Sequence, residues 1–108
     1  MTHKQQASEG FPALFAGIFS PGPRWDEFAS EREQQIGRHR DYQRTQLAAG
    51  KFIIGGPFVD RSGGMALYRA GSRAEIEGIV ANDPAVVNGL YQVELRQWRV
   101  GMSVLSTG

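Results

Sequence analysis

The alternation of apolar and polar positions along the chain predicts the element order β-α-β-β-α-β. Residues 13–20, A-L-F-A-G-I-F-S, form the first strand. Leu14, Ala16 and Ile18 lie on one of its faces and Ala13, Phe15, Gly17 and Phe19 on the other. Both faces are apolar, so the strand is expected to be covered on both sides. Pro21-Gly22-Pro23 stops it, and Arg24-Trp25-Asp26 follows in a loop. From about residue 28 to residue 49 the pattern becomes helical. Ile36, Gln43 and Leu47 recur at helical spacing, with His39 and Arg32 beside them. That stripe is polar for a helix lying on a sheet, and part of it is expected to line a cavity. Gly50 reads as the left-handed residue that closes the helix. Residues 51–54 enter a second strand that runs into a bend at Gly55-Gly56-Pro57-Phe58. A turn cluster at 60–64 then leads into a third strand at 65–68.

The second helix has a clear start. Ser72-Arg73-Ala74-Glu75 fits a capping box, Ser72 capping and Glu75 reaching back. Ile76, Ile79 and Val80 supply its buried stripe. It must end near Asn82, because Pro84 disfavours helical geometry at Asp83. Asp83-Pro84 then reads as a fresh N-cap with proline at the first helical position, opening a short helical turn at 83–87. The last strand, 90–100, sets Tyr91, Val93 and Leu95 against Gln92, Glu94 and Arg96. Its apolar phase switches near Trp98, which reads as a bulge.

This order defines an α+β chain of the ferredoxin-like, split βαβ type: a four-stranded antiparallel sheet with two helices on one face. The domain is read at 11–101, between a polar N-terminal extension at 1–10 and a C-terminal tail at 102–108. Nothing in the chain is long enough to cover the second sheet face. The economical cover is a second copy, sheet against sheet, giving a homodimer.

Composition narrows the field. At 108 residues the chain is one domain with enough surface to bury a single core. The absence of cysteine excludes disulfides and thiolate chemistry. No apolar run approaches the ~20 residues of a membrane span. The N-terminus lacks the apolar stretch of a signal peptide, so a soluble cytoplasmic protein with no membrane partner is expected. Twelve basic and eleven acidic residues leave a net charge of +1, too balanced for a nucleic-acid binder. Arg32, Arg38, Arg40 and Arg44 interleave with Glu31, Glu33 and Asp41, which reads as a solvated helix surface.

No dinucleotide, Walker, zinc-protease or serine-hydrolase motif is present. With only His3 and His39 and no cysteine, no metal site and no cofactor are expected. Acid–base chemistry remains, and His39 is the side chain that titrates near neutrality outside the N-terminal extension. Two readings of it stand together: a proton carrier, or a partly buried histidine satisfied by a backbone carbonyl. Asp83 is accounted for by its capping position alone. Trp25 and Trp98 are either core or cavity walls.

Taken together, P-G-P-x-W (21–25), the helical His39 followed by Gly50-Lys51, G-G-P-F (55–58), Gly63-Gly64, D-P-A-V (83–86), Gly89 and Trp98 resemble the YCII-related family. The likeness covers about residues 12–100. It implies a dimeric α+β barrel and an active-site cleft with a His–Asp pair, which maps onto His39 and Asp83. A characterised relative removes HCl from a chlorinated hydroxyquinol without a cofactor, and muconolactone isomerases share the wider fold. The sequence departs from the common pattern at Arg40, often an aliphatic position, and in its polar extension.

The resulting expectation is a cofactor-independent lyase or isomerase for a small, oxygenated, cyclic molecule. His39 would be the general base and acid and Asp83 its orienter. Trp25, Arg24, Gly56, Pro57 and Phe58 would form the ligand pocket with Gly55. The alternative is a non-catalytic, ligand-binding or regulatory homodimer using the same cleft.

Overall fold

A computed structural model of the chain describes residues 13–104. The elements are β1 (Leu14–Pro21), α1 (Arg32–Ala48), β2 (Phe52–Pro57), β3 (Gly64–Arg69), α2 (Arg73–Ala81), α3 (Pro84–Val87) and β4 (Tyr91–Trp98). All pairings are antiparallel, in the order β2-β3-β1-β4, which is the ferredoxin-like arrangement. The extension read at 1–10 and the end of the tail, 105–108, lie outside the described residues.

β1 is central, and its two apolar faces have different fates. Phe15 and Phe19 lie under the helices in a core with Ala66, Tyr68, Ala70, Ile76 and Val80. Each large side chain buried there contributes roughly 1.5–3 kcal/mol. On the opposite face Leu14 is buried, but Ala16 and Ile18 are only partly covered. The register places Met65 beside Ile18, Trp98 beside Leu14, and Ile54 beside Leu67. Ile54, Met65 and Trp98 are 65%, 48% and 51% exposed, so the described residues leave this face open.

Helix ends follow local chemistry. Gly50, at φ +79°, closes α1 in a Schellman turn, its N–H donating to Leu47 O and that of Lys51 to Gln46 O. Ser72 Oγ caps α2 by accepting from Glu75 N–H at 3.1 Å. Glu75 reaches back one residue further than a capping box requires, to Gly71 N–H at 2.7 Å. Its other oxygen meets Lys51 Nζ at 2.6 Å, which ties the start of α2 to the start of β2.

Three expectations are corrected. α1 begins at Arg32, not near residue 28. The preceding residues run in overlapping i→i+3 turns such as Phe28 N–H to Trp25 O and Glu31 N–H to Phe28 O. The N-cap, Glu31, makes no side-chain cap, so nothing local starts the helix earlier. Gly55-Gly56-Pro57 is not a bend but the end of β2, paired with Ala66, Met65 and Gly64. A Cβ at Gly55 would lie 2.8 Å from Met65 O and 2.9 Å from Ala66 Cα, so glycine permits the close approach of β2 to β3. The bulge is absent near Trp98, where β4 keeps unbroken register with β1 and Trp98 simply occupies the open face. The register shift falls instead between Phe52 and Ile54 in β2.

Tyr68 gives this core a pH signature. Its phenol is buried, edge-on to Phe52 at 5.7 Å. Burial raises its pKa, with Gln43 hydrogen bonding partly opposing the rise and the Asp83 charge adding to it. A folded-state pKa above the unfolded value contributes stability that is complete below the unfolded pKa. That contribution is lost as pH rises through the folded pKa. Stability should therefore hold up to about pH 10 and decline beyond it. In urea melts at successive pH values, Tyr68→Phe should show a shallower alkaline decline than the native chain.

Candidate functional site

α1 has almost no apolar inner face, and its two buried residues are Gln35 and His39. It is held to the α2–α3 segment by hydrogen bonds from one stripe. Gln35 Oε1 accepts from Asn88 Nδ2 at 2.7 Å. His39 Nδ1 meets Asp83 Oδ2 at 2.7 Å. Tyr42 Oη donates to Ile79 O at 2.6 Å. Positions 35, 39 and 42 are one helical turn apart, so the three bonds form a ladder along α1.

Asp83 serves two elements at once. As the N-cap of α3, its Oδ1 accepts from Ala85 N–H at 3.0 Å, with Pro84 following at the first helical position. Its Oδ2 takes the imidazole, and the residue is completely buried. A carboxylate only accepts hydrogen bonds, so it favours the imidazole tautomer with hydrogen on Nδ1 and a bare Nε2. Phe19 and Tyr91 clamp the ring edge-on, with centroids at 5.0 and 5.1 Å. Nε2 makes no hydrogen bond among the described residues.

His39 borders an open cleft of about 310 Å³ between α1 and the β2–β3 end of the sheet. Gly55, Gly56, Pro57, Gly63 and Gly64 form a wall with few side chains. Phe19, Ile36, Leu47, Phe52 and Tyr91 supply apolar surface, and Arg40, Gln43 and Arg44 are polar. Burial and then the Asp83 charge raise the Tyr91 phenol pKa, against an opposing effect of Arg40. Tyr42 is raised by burial and Asp83 as well. Among the described residues, no three His, Asp or Glu side chains gather to hold a metal ion, and no helix is long and apolar enough to cross a membrane.

The structure thus brings His39 and Asp83 together and places Gly56 and Pro57 on the cleft. It does not place Trp25, Arg24 or Phe58 there. Gly22 N–H and Arg24 N–H, each 2.8 Å from a carbonyl of the α3–β4 connection, pin the loop away from the mouth. Trp25 consequently stands one ring behind the cleft, 5.7 Å from Tyr91, under the Arg32 guanidinium at 4.2 Å. Arg24 pairs with Glu27 at 2.8 Å and lies over Phe28. Phe58 opens the turn after β2, where its N–H donates to Gly63 O. Tyr91, Phe19, Arg40 and Arg44 were not anticipated as lining residues. Arg40 and Arg44 fall one and two turns after Ile36, a spacing that was readable.

A ferredoxin-like sheet with a buried histidine–carboxylate pair at the edge of a small cleft defines an α+β protein with a ligand-sized site. The chain belongs to the YCII-related domain family, which it matches over residues 6–99. No curated protein matches it. Among solved structures it is similar to 5-chloro-2-hydroxyhydroquinone dehydrochlorinase from Burkholderia phenoliruptrix AC1100, in complex with 2,5-dihydroxybenzoquinone. The TM-score is 0.66 at 24% identity, covering 82% of this chain and 95% of that one. At that identity the likeness concerns the fold.

Asp83→Ser separates the two jobs of the carboxylate, since serine caps a helix about as well but is too short to reach the ring. The variant should lose about 1–3 kcal/mol of stability. Nitrogen-15 NMR of the imidazole should show the Nδ1–H tautomer of the native chain giving way to Nε2–H. Unchanged tautomers would reduce Asp83 to a cap.

Proposed function

We propose that the chain is an acid–base enzyme of lyase or isomerase type, acting on a small, oxygenated, cyclic molecule without a cofactor. One observation carries the reading: a buried carboxylate lies 2.7 Å from Nδ1 and Nε2 has no partner among the described residues, on a residue that borders the cleft. In this role Nε2 removes a proton from a ring carbon. The released electron pair forms a double bond. In an elimination, a leaving group on the neighbouring carbon departs with its own bonding pair. In an isomerisation, the imidazolium returns the proton at another carbon. Asp83 orients the ring and stabilises the imidazolium in both. A cleft of about 310 Å³ is at the small end of ligand sites, which supports a single ring. The similar structure is a dehydrochlorinase holding 2,5-dihydroxybenzoquinone, which supports oxygenated rings as the first substrates to try.

Proton abstraction can be tested without knowing the leaving group. Hydroxylated quinones and chlorinated hydroquinones incubated in D₂O should acquire ring deuterium, or release chloride, faster with the protein than without it. His39→Gln should reduce the rate by about 10²–10⁴-fold. Saturable binding with neither exchange nor product would make the cleft a binding site instead.

The proposal extends to assembly. The open face carries Ile18, Leu67, Ile54, Met65 and Trp98, and pairing it with the same face of a second copy would build a dimeric α+β barrel. Sedimentation at micromolar concentration should show a dimer, and Leu67→Arg should shift it to monomer. A native chain that sediments as a monomer defeats this assembly.

A further inference from the structure

We infer that the cleft selects ligands carrying a carboxylate on the ring, and that Arg40 is the residue that reads it. The inference rests on the cleft being a ligand site, though not on turnover there. Ile36, Arg40, Gln43, Arg44 and Leu47 follow at i, i+4, i+7, i+8 and i+11, so they share the cleft face of α1. The lining holds two arginines and His39, and no aspartate or glutamate among the described residues. Asp83 is completely buried and its charge also reaches Tyr91, but its two oxygens are taken by Ala85 N–H and His39 Nδ1, so it offers neither arginine an ion-pair partner.

The two arginines differ. Arg44 is paired with Asp41 at 3.1 Å across exposed surface. Arg40 makes no ion pair with a carboxylate among the described residues. It is one residue from His39, and its charge is felt at Tyr91, the ring that clamps that imidazole. Arg40 is exposed at the edge of the cleft, so it attracts an anion as a salt-screened cation standing beside apolar walls. Its planar fork matches a carboxylate bidentately. One unpaired cation in a small cleft fits a monoanion better than a phosphate. The carboxylate would sit at Arg40, and the ring would lie against Phe19 and Tyr91 within reach of His39 Nε2.

The test compares 4-hydroxybenzoate with 4-hydroxybenzamide, two probes of the same ring and size that differ in charge. Each is titrated into the full chain at low salt, and the imidazole NMR signals of His39 are followed. The benzoate should bind at least about tenfold more tightly, with the advantage shrinking at high salt. Arg40→Gln should remove the advantage and leave amide binding within about twofold, Arg40→Lys should retain most of it, and Arg44→Gln should preserve it. Equal affinities in the native chain would overturn the inference. So would a preference that survives Arg40→Gln, or no response to either probe at ~10 mM. These readings need no product: an inert cleft that prefers benzoate defeats only the proposed enzyme, and an active cleft indifferent to charge defeats only this inference.

Discussion

The hydrogen bond between His39 and Asp83 is the constraint on which the rest of the site depends. α1 cannot dock by apolar burial, because its inward positions are Gln35, His39 and Tyr42. Its hold on α2 and α3 comes from three polar contacts, and the middle one is also the buried charge-bearing pair. Asp83 can occupy that place only because Pro84 ends α2 and starts α3, putting a capping carboxylate at the break. The local rule for a helix start thus delivers a carboxylate to the middle of a neighbouring helix. Capping and orienting the imidazole use different oxygens, so neither role competes with the other.

The cleft follows from what α1 and β2 lack. A helix with an apolar stripe would settle onto the sheet and close the gap. Here the sheet beneath is Gly55, Gly56 and Pro57, and facing it are Arg40, Gln43 and Arg44, long side chains whose charged or amide ends need solvent or a partner. The register shift between Phe52 and Ile54 keeps Phe52 with Tyr68 on the helix side and sends Ile54 to the open face. The same strand therefore contributes to the core, to the cleft wall and to the exposed apolar face.

Much of this was legible in the sequence where one residue type has one strong local preference. Gly50, Ser72, Asp83 and Pro84 announce helix ends, and the short apolar run of β1 and the alternation of β4 announce strands; those elements lie where they were expected. The motif pattern joined His39 to Asp83, which spacing alone could not do, since one is mid-helix and the other terminal. The misread parts depended on tertiary contacts. Gly55-Gly56-Pro57 looks like a bend until β3 is known to lie close enough to require glycine. Trp25 looks like a pocket wall until Gly22 and Arg24 are seen bonded to the α3–β4 connection. Tyr91 looked like an ordinary inward strand residue, because only the fold brings it against His39.

The polar docking of α1 carries an argument of its own. Replacing a buried polar pair by well-packed apolar side chains is often neutral or stabilising, so stability alone does not explain retaining one. A chain is also expected to agree with its fold at every level, and local departures concentrate where a site needs them. The departures here fall in one place: a helix without an apolar stripe, glycines in the strand facing it, a buried histidine held by a cap, and an arginine with no carboxylate partner among the described residues. Each is unfavourable or indifferent as packing. Together they leave a bare imidazole nitrogen and an unmatched positive charge beside an apolar recess, the combination that supports proton transfer on an anionic ring.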